Sequence, residues 1–297
     1  MGIISNRKQS FNEYTRSDLA LEMRGDFKDC QFEKALSSAR RLTVTRQAGE
    51  RGERYVTLSF GRITELSASE LEALTAALTQ ELVDIAAQSL GRHPDSSTKV
   101  LAVGLGNSEL TADAIGPDAL KRVCATRNLR DYNEEMYLAL GCCELSCIAP
   151  GVLGKTGIES AEIVRSVSEC SAPDLIVAID ALAARSPERL ASTIQLSDGG
   201  IAPGAGIGNT RVAIDKNSMG CPVISVGVPT VVNSSTLVYD ALGQAGIGDG
   251  DISESLREVL QNGKSFVVSP KDADTVTETV SALIAEAINR AFGISDT

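Results

Sequence analysis

No long hydrophobic run appears in this sequence. Its longest apolar stretches, "KVLAVGLG", "DLIVAIDALAA" and "CPVISVGVPTVV", are broken by Asp, Gly or Pro and fall short of the roughly 20 residues that a membrane helix needs. The amino-terminal "MGIISNRKQSFNEYTR" lacks the apolar segment of a secretory signal, so a cytoplasmic protein with no membrane role is expected. Positive charge is scarce too: 28 Lys and Arg against 39 Asp and Glu leave a formal net charge of −11, which opposes direct binding of nucleic acid. Histidine is nearly missing. The single one, His93, lies in the polar loop pattern "GRHPDSS", so Ser–His–Asp and Cys–His systems have no credible base.

Cysteine is present in an odd number, 7, and scattered. Cys30, Cys124, Cys170 and Cys221 stand alone in regular-looking segments and read as reduced thiols. In "GCCELSC", Cys142, Cys143 and Cys147 crowd together, but a zinc site would need a fourth ligand and His93 is far along the chain. Buried small hydrophobes are the simpler reading; no cofactor is expected, and a metal-free mechanism comes first with a metal-assisted one second.

What is present is enough apolar material, 43% of 297 residues, for one large or two smaller domains. "LSASELEALTAALTQELVDIAAQSLG" has helical spacing, a capping box from Ser67 to Glu70 and a stop at Gly91. "KVLAVGLG", Lys99 to Gly106, reads as a buried parallel strand, followed by a helix around "PDALKRVCATRNL" and a strand in "MYLALGCCEL". "GIESAEIVRSVSE" reads as a helix, "DLIVAIDALAA" and "CPVISVGV" as strands, and "DADTVTETVSALIAEAINRAF" as an amphipathic helix. The alternation predicts a three-layer α/β sandwich with a mostly parallel sheet.

In such sheets function collects beyond the carboxyl ends of the strands. That rule selects Asp113, in the loop after "VLAVG", and Asp180, which closes "LIVAID". Two neighbouring carboxylates do not readily both ionise, so the pair can hold one proton, activate water against an amide and protonate the leaving nitrogen. The plainer alternative makes Asp113 the cap of a helix near Pro117 and Asp180 a turn acid. Two phosphate-binding patterns compete. "APGVLGKT", Ala149 to Thr156, is a relaxed P-loop in which Lys155 would meet phosphate and Thr156 magnesium, though Ala stands for the first Gly. "PGAGIGN", Pro203 to Asn209, places its third Gly one position early for a dinucleotide fingerprint and reads as a tight glycine loop.

Taken in order, "GLGNSELTADAIGP", "PGVLGKTGIESAEIV", "DLIVAIDALAARS", "TIQLSDGGIAPGAGIGNTR", "GCPVISVGVPTVV" and "FVVSPKDAD" resemble the germination protease family, the spore endopeptidases of endospore-forming bacteria. The resemblance implies a fold similar to that of the hydrogenase-maturation proteases. It implies a zymogen and homotetramer of the forespore and spore core that degrades small acid-soluble spore proteins. Its two catalytic acids would be Asp113 and Asp180. Family substrates are cut after an acid and before an apolar residue followed by Ala, with a Glu downstream. "SDLALE" has this form, so the resemblance implies self-processing between Asp18 and Leu19, a propeptide over 1–18 and one peptidase domain over 19–297. An acidic substrate also asks for basic partners, and Lys155, Arg185 and Arg211 are the candidates for orienting it.

Overall fold

The computed structural model describes residues 17–22, 28–203, 212–262 and 266–293. The strands are β1 (Lys28–Ala35), β2 (Arg41–Ala48), β3 (Arg54–Ser59), β4 (Lys99–Gly104), β5 (Glu144–Ile148), β6 (Leu175–Ala184), β7 (Thr193–Ser197), β8 (Val223–Asn233) and β9 (Val267–Val268). The helices are α1 (Ala68–Leu90), α2 (Ile115–Leu120), α3 (Arg127–Tyr132), α4 (Glu134–Leu140), α5 (Leu153–Thr156), α6 (Ser160–Ser171), α7 (Lys216–Met219), α8 (Ser234–Gln244), α9 (Glu254–Asn262) and α10 (Ala273–Phe292).

One sheet joins the strands in the order β1-β2-β3-β7-β8-β6-β4-β5, with β9 paired to β8. The run β5, β4, β6, β8 is parallel, whereas β7, β3, β2, β1 and β9 are added antiparallel. The α/β class is as expected, but the sheet is mixed rather than mostly parallel. Short turns after β1 and β2 can only return the chain antiparallel, because a parallel return needs a long crossover. These strands carry polar residues on alternate positions, as the burial of β2 illustrates, so they lack the continuous apolar runs that betrayed β4, β6 and β8.

Helices cover both faces. On one, Leu74, Leu78 and Leu82 of α1 and Ile284 and Ile288 of α10 pack with Val177 and Ile179 of β6. On the other, Ala161 and Val164 of α6 and Met219 of α7 pack with Val103 of β4 and Ile176 and Ala178 of β6. Helix α1 begins with the predicted capping box at Ser67 and ends at Gly91, whose φ of 72° suits glycine. "MYLALGCCEL" departs from expectation. Asn133 caps α4 by accepting from the Met136 N–H, Gly141 stops it at φ 63°, and only then does β5 begin. Among the described residues no helix is long and apolar enough to cross a membrane.

Where α2 meets the sheet, backbone lies on backbone. A Cβ on Gly116 would stand 2.3 Å from the Leu105 carbonyl oxygen and 2.6 Å from that of Ile179, and one on Gly104 would stand 2.4 Å from the Gly116 oxygen. Neither backbone can yield as a flexible side chain could. Gly116→Ala is therefore expected to cost about 1–3 kcal/mol, read as a fall in the urea midpoint at constant slope; an unchanged midpoint would show that α2 moves freely over β4.

Candidate active site

Asp113 closes a short 3-10 turn, Thr111–Asp113, in the loop between β4 and α2. The chain can double back there because Gly106 adopts φ +111°; a Cβ on it would lie 2.0 Å from the Asp113 carbonyl oxygen. The Asn107 N–H donates both to that oxygen, at 3.0 Å, and to Asp113 Oδ2, at 2.8 Å. Thr230 of β8 donates to the Ala112 carbonyl at 2.6 Å and Thr277 of α10 to the Thr111 carbonyl at 3.0 Å, so the loop is tied to the sheet and to the last helix. Asp113 is not a helix cap. The residue at the cap of α2 is Ala114, which makes no side-chain bond.

Asp180 lies inside β6 rather than at its end, because β6 continues to Ala184 through a register shift against β8 at Leu182/Ala183. It is 5% exposed, and its Oδ1 accepts from the Ala181 N–H at 2.9 Å. Both acids line one cleft of about 440 Å³, together with Gly106, Leu182, Thr230 and, on its rim, Asp18.

The chain's own segment, Ser17 to Glu22, is seated at this cleft. Pairing of β4 with β6 ends at Gly104 and Ile179; Asp18 bonds β6 further along, at Ala183, and Ala20–Glu22 form a short 3-10 helix. The Asp18 N–H donates to the Ala183 carbonyl at 2.9 Å, and its Oδ2 accepts from the Ala183 N–H at 2.8 Å. Leu19 is wholly buried among Leu182, Ala184 and Val232, with Leu190 and Leu237 beside them. Ala20 is buried as well. The Glu22 carboxylate then accepts from the main-chain N–H groups of Arg185, at 2.6 Å, and Ser186, at 2.9 Å, and from the Ser17 hydroxyl, at 2.5 Å.

Of the basic candidates, Arg185 reaches the segment through its main-chain N–H. Lys155, on α5, pairs with Glu109 at 2.5 Å. Arg211 and most of "PGAGIGN" lie outside the described residues. In the relaxed P-loop, Thr156 Oγ1 is engaged with Ile158 in a local turn and the longer helix starts only at Ser160, so Lys155 and Thr156 do not open a helix as nucleotide binding would require. Gln195, not singled out from the sequence, contacts the segment on both sides of Leu19. Its Nε2 donates to the Asp18 carbonyl at 3.2 Å and its Oε1 accepts from the Ala20 N–H at 2.7 Å. A glutamine between the apolar Ile194 and Leu196 of "TIQLS" is the signal that the sequence offers, since a buried amide demands partners.

His93 is exposed in the loop before β4. Cys142 and Cys143 are buried and Cys147 is half-buried at β5. Burial pushes the Cys143 thiol up to about 12 and the Cys147 thiol up to about 11, which keeps both neutral. Among the described residues no three His, Cys, Asp or Glu side chains are grouped to hold a metal.

Comparison with known proteins gives a consistent result. The germination protease family model matches residues 37–245. The germination protease of Clostridium acetobutylicum is 37% identical, covering 80% of this chain and 78% of its own. That of Clostridium perfringens strain 13 is 35% identical over 93% of this chain and 94% of its own, and that of Bacillus subtilis is 42% identical over 68% and 55%.

Two outcomes follow from this geometry. Glu22→Ala removes an ionised acceptor from two N–H groups, so seating of the segment should weaken by about 1.5–3 kcal/mol. Amide exchange at Ala20 would then quicken at least tenfold while that of β6 is unchanged; no change at Ala20 would deny Glu22 an anchoring role. For the cysteines, raised pKa values mean little thiolate at pH 8, so iodoacetamide should label exposed Cys30, Cys124 and Cys170 on the order of a hundredfold faster than Cys143. Peptide mapping after timed quenching reads this, and early labelling of Cys143 would contradict it.

Proposed function

The chain belongs to the germination protease family, and from that premise we propose that it is a zymogen endopeptidase that cuts its own Asp18–Leu19 bond and then degrades small acid-soluble spore proteins during germination. The observation that carries this reading is the seating of the chain's own S-D-L-A-L-E at the cleft lined by Asp113 and Asp180. In it the segment stands for a substrate: an acid before the scissile bond, a buried Leu and Ala after it, and a Glu held downstream by two N–H groups.

The chemistry follows from two carboxyls on one cleft. Like charges compete, so one member keeps a proton while the other is ionised. The ionised member takes a proton from water as its oxygen bonds to the Asp18 carbonyl carbon. The protonated member gives its proton to the Leu19 nitrogen as the C–N bond breaks. The two acids end with their proton exchanged and their total charge unchanged, the product acid gives up its proton and the product amine takes one, and the reaction so written needs no cofactor.

On this reading 1–18 is the propeptide and 19–297 the peptidase domain, related in fold to the hydrogenase-maturation proteases. The enzyme works as a homotetramer in the forespore and spore core, with neither nucleic acid nor membrane as a direct partner. A magnesium–nucleotide role for Lys155 and Thr156 has less support, given the Glu109 ion pair and the local turn that engage them.

Intact-mass time courses on the full chain, wild type against Asp113→Asn and Asp180→Asn, test the proposal. Loss of residues 1–18 in the wild type, slowed at least about a thousandfold in each variant, is the expected outcome. Trimming of either variant at the wild-type rate removes that acid from the mechanism. If all three remain whole and folded, the chain is a non-catalytic relative.

A further inference from the structure

Gln195 holds the peptide bond that the reading above makes scissile. Its single carboxamide spans that bond, with Nε2 on the Asp18 carbonyl oxygen and Oε1 on the Ala20 N–H. The orientation is forced. The Ala20 N–H can only donate, so the amide oxygen must face it, and the NH₂ group is thereby turned toward the carbonyl.

Its place in the sheet relates it to Asp180. Asp180 pairs with Gly227 across β6 and β8, and Gly227 pairs with Gln195 across β8 and β7. The three residues thus form one rung, and paired positions of a sheet share a face. Two strand spacings put the Asp180 and Gln195 backbones roughly 10 Å apart. Gly227 between them leaves a gap that Leu182 overhangs, since a Cβ there would meet Leu182 Cδ1 at 2.3 Å. Asp18, Asp180, Gln195 and Gly227 line a common hollow in this region. Gln195 is also held from behind: it is 6% exposed and β3 pairs with it through Thr57. A rigidly held, desolvated donor on the oxygen where negative charge will develop is what stabilisation of a tetrahedral intermediate requires.

We propose that Gln195 is the oxyanion donor of this cleft, an assignment that rests on Asp18–Leu19 being the scissile bond. Water adds to the Asp18 carbonyl carbon, the carbonyl π pair moves onto its oxygen, and the Gln195 Nε2–H holds that oxyanion. When the carbonyl re-forms, the C–N bond breaks and the Leu19 nitrogen leaves with a proton from the protonated acid. Gln195 neither gains nor loses a proton. Its Oε1 meanwhile keeps the second residue after the bond in register, which requires an N–H there.

The test measures self-trimming of the full chain by intact mass between about pH 4.5 and pH 8, for wild type, Gln195→Asn, Gln195→Glu and Asp113→Asn, with folding of each checked by thermal unfolding. Gln195→Asn keeps a polar amide in the buried rung but withdraws it by one methylene. It should trim about 10²–10³-fold more slowly at every pH. Gln195→Glu keeps the acceptor for the Ala20 N–H and, when ionised, loses the donor. It should be equally slow at pH 8 and recover as acidification restores an O–H donor, a pH profile that a purely structural role would not produce. Should the Asn variant fail to fold, the pH profile of Gln195→Glu decides alone; should Gln195→Glu fail, the rate of Gln195→Asn decides. A folded Gln195 variant that trims within about threefold of wild type at pH 8, while Asp113→Asn is dead, overturns the role of Gln195 and leaves the acid pair standing. If Asp113→Asn trims normally, the cleft reading falls and this proposal falls with it.

Discussion

Contact between Gly116 and the carbonyls of Leu105 and Ile179 is the constraint on which the cleft depends. The Leu105 N–H donates to the Ile179 oxygen at 2.8 Å, so the end of β4 is sewn to β6 at the residue preceding Asp180. Gly116 then presses α2 directly onto that junction, at distances that admit no side chain. The loop from Gly106 to Ala114 must therefore fold above Asp180, and Asp113, just before α2, is delivered to the same cleft. One backbone contact places an acid of a loop and an acid of a strand together. Thr230 and Thr277 only hold the loop in the position that this contact leaves open to it.

This explains why the two acids could be found in the sequence and why their supporting cast could not. Strands β4 and β6 are buried on both faces and read as apolar runs, so the rule about strand ends led to Asp113 and Asp180. Asp180 looked terminal because an acid interrupts "LIVAI", yet pairing with β8 continues past it into "ALAA". Strands β1 to β3 were illegible because a half-covered antiparallel strand alternates polar and apolar residues and resembles loop sequence. The seventh strand is short, and Gln195 gains its meaning only from a register that runs from Asp180 through Gly227. No local pattern encodes that register. The likeness of "SDLALE" to a family cleavage site was legible, whereas its contacts with Ala183 and Gln195 required the fold.

The cleft also resolves an electrostatic difficulty. A chain of net charge −11 holds a segment with acids at Asp18 and Glu22 close to two further acids. Main-chain N–H groups of Ala183, Arg185 and Ser186 meet the Asp18 and Glu22 carboxylates. All three follow Asp180 closely, at and after the place where β6 shifts register against β8. Arg185 and Ser186 lie past the last paired residue of β6, where N–H groups are outside the ladder, and a carboxylate accepting two of them gains charge-assisted bonds.

Burial of Leu19 and Ala20 limits what can enter the same place. The segment meets β6 through one residue: Asp18 bonds Ala183 with both its N–H and its carboxylate, Leu19 enters an apolar pocket, and Ala20–Glu22 turn into a short 3-10 helix. Leu19 and Ala20 are both wholly buried in doing so. A leucine already packed in the core of another folded protein could not make this transfer without unfolding its host, at a cost comparable to the host's whole stability. On the proposed function the cleft would discriminate twice, by the pattern of acid, leucine, small residue and glutamate, and by the conformational freedom of the chain that carries it. On that reading a substrate that carries the pattern outside any packed core meets both conditions, because nothing has to unfold before it is cut.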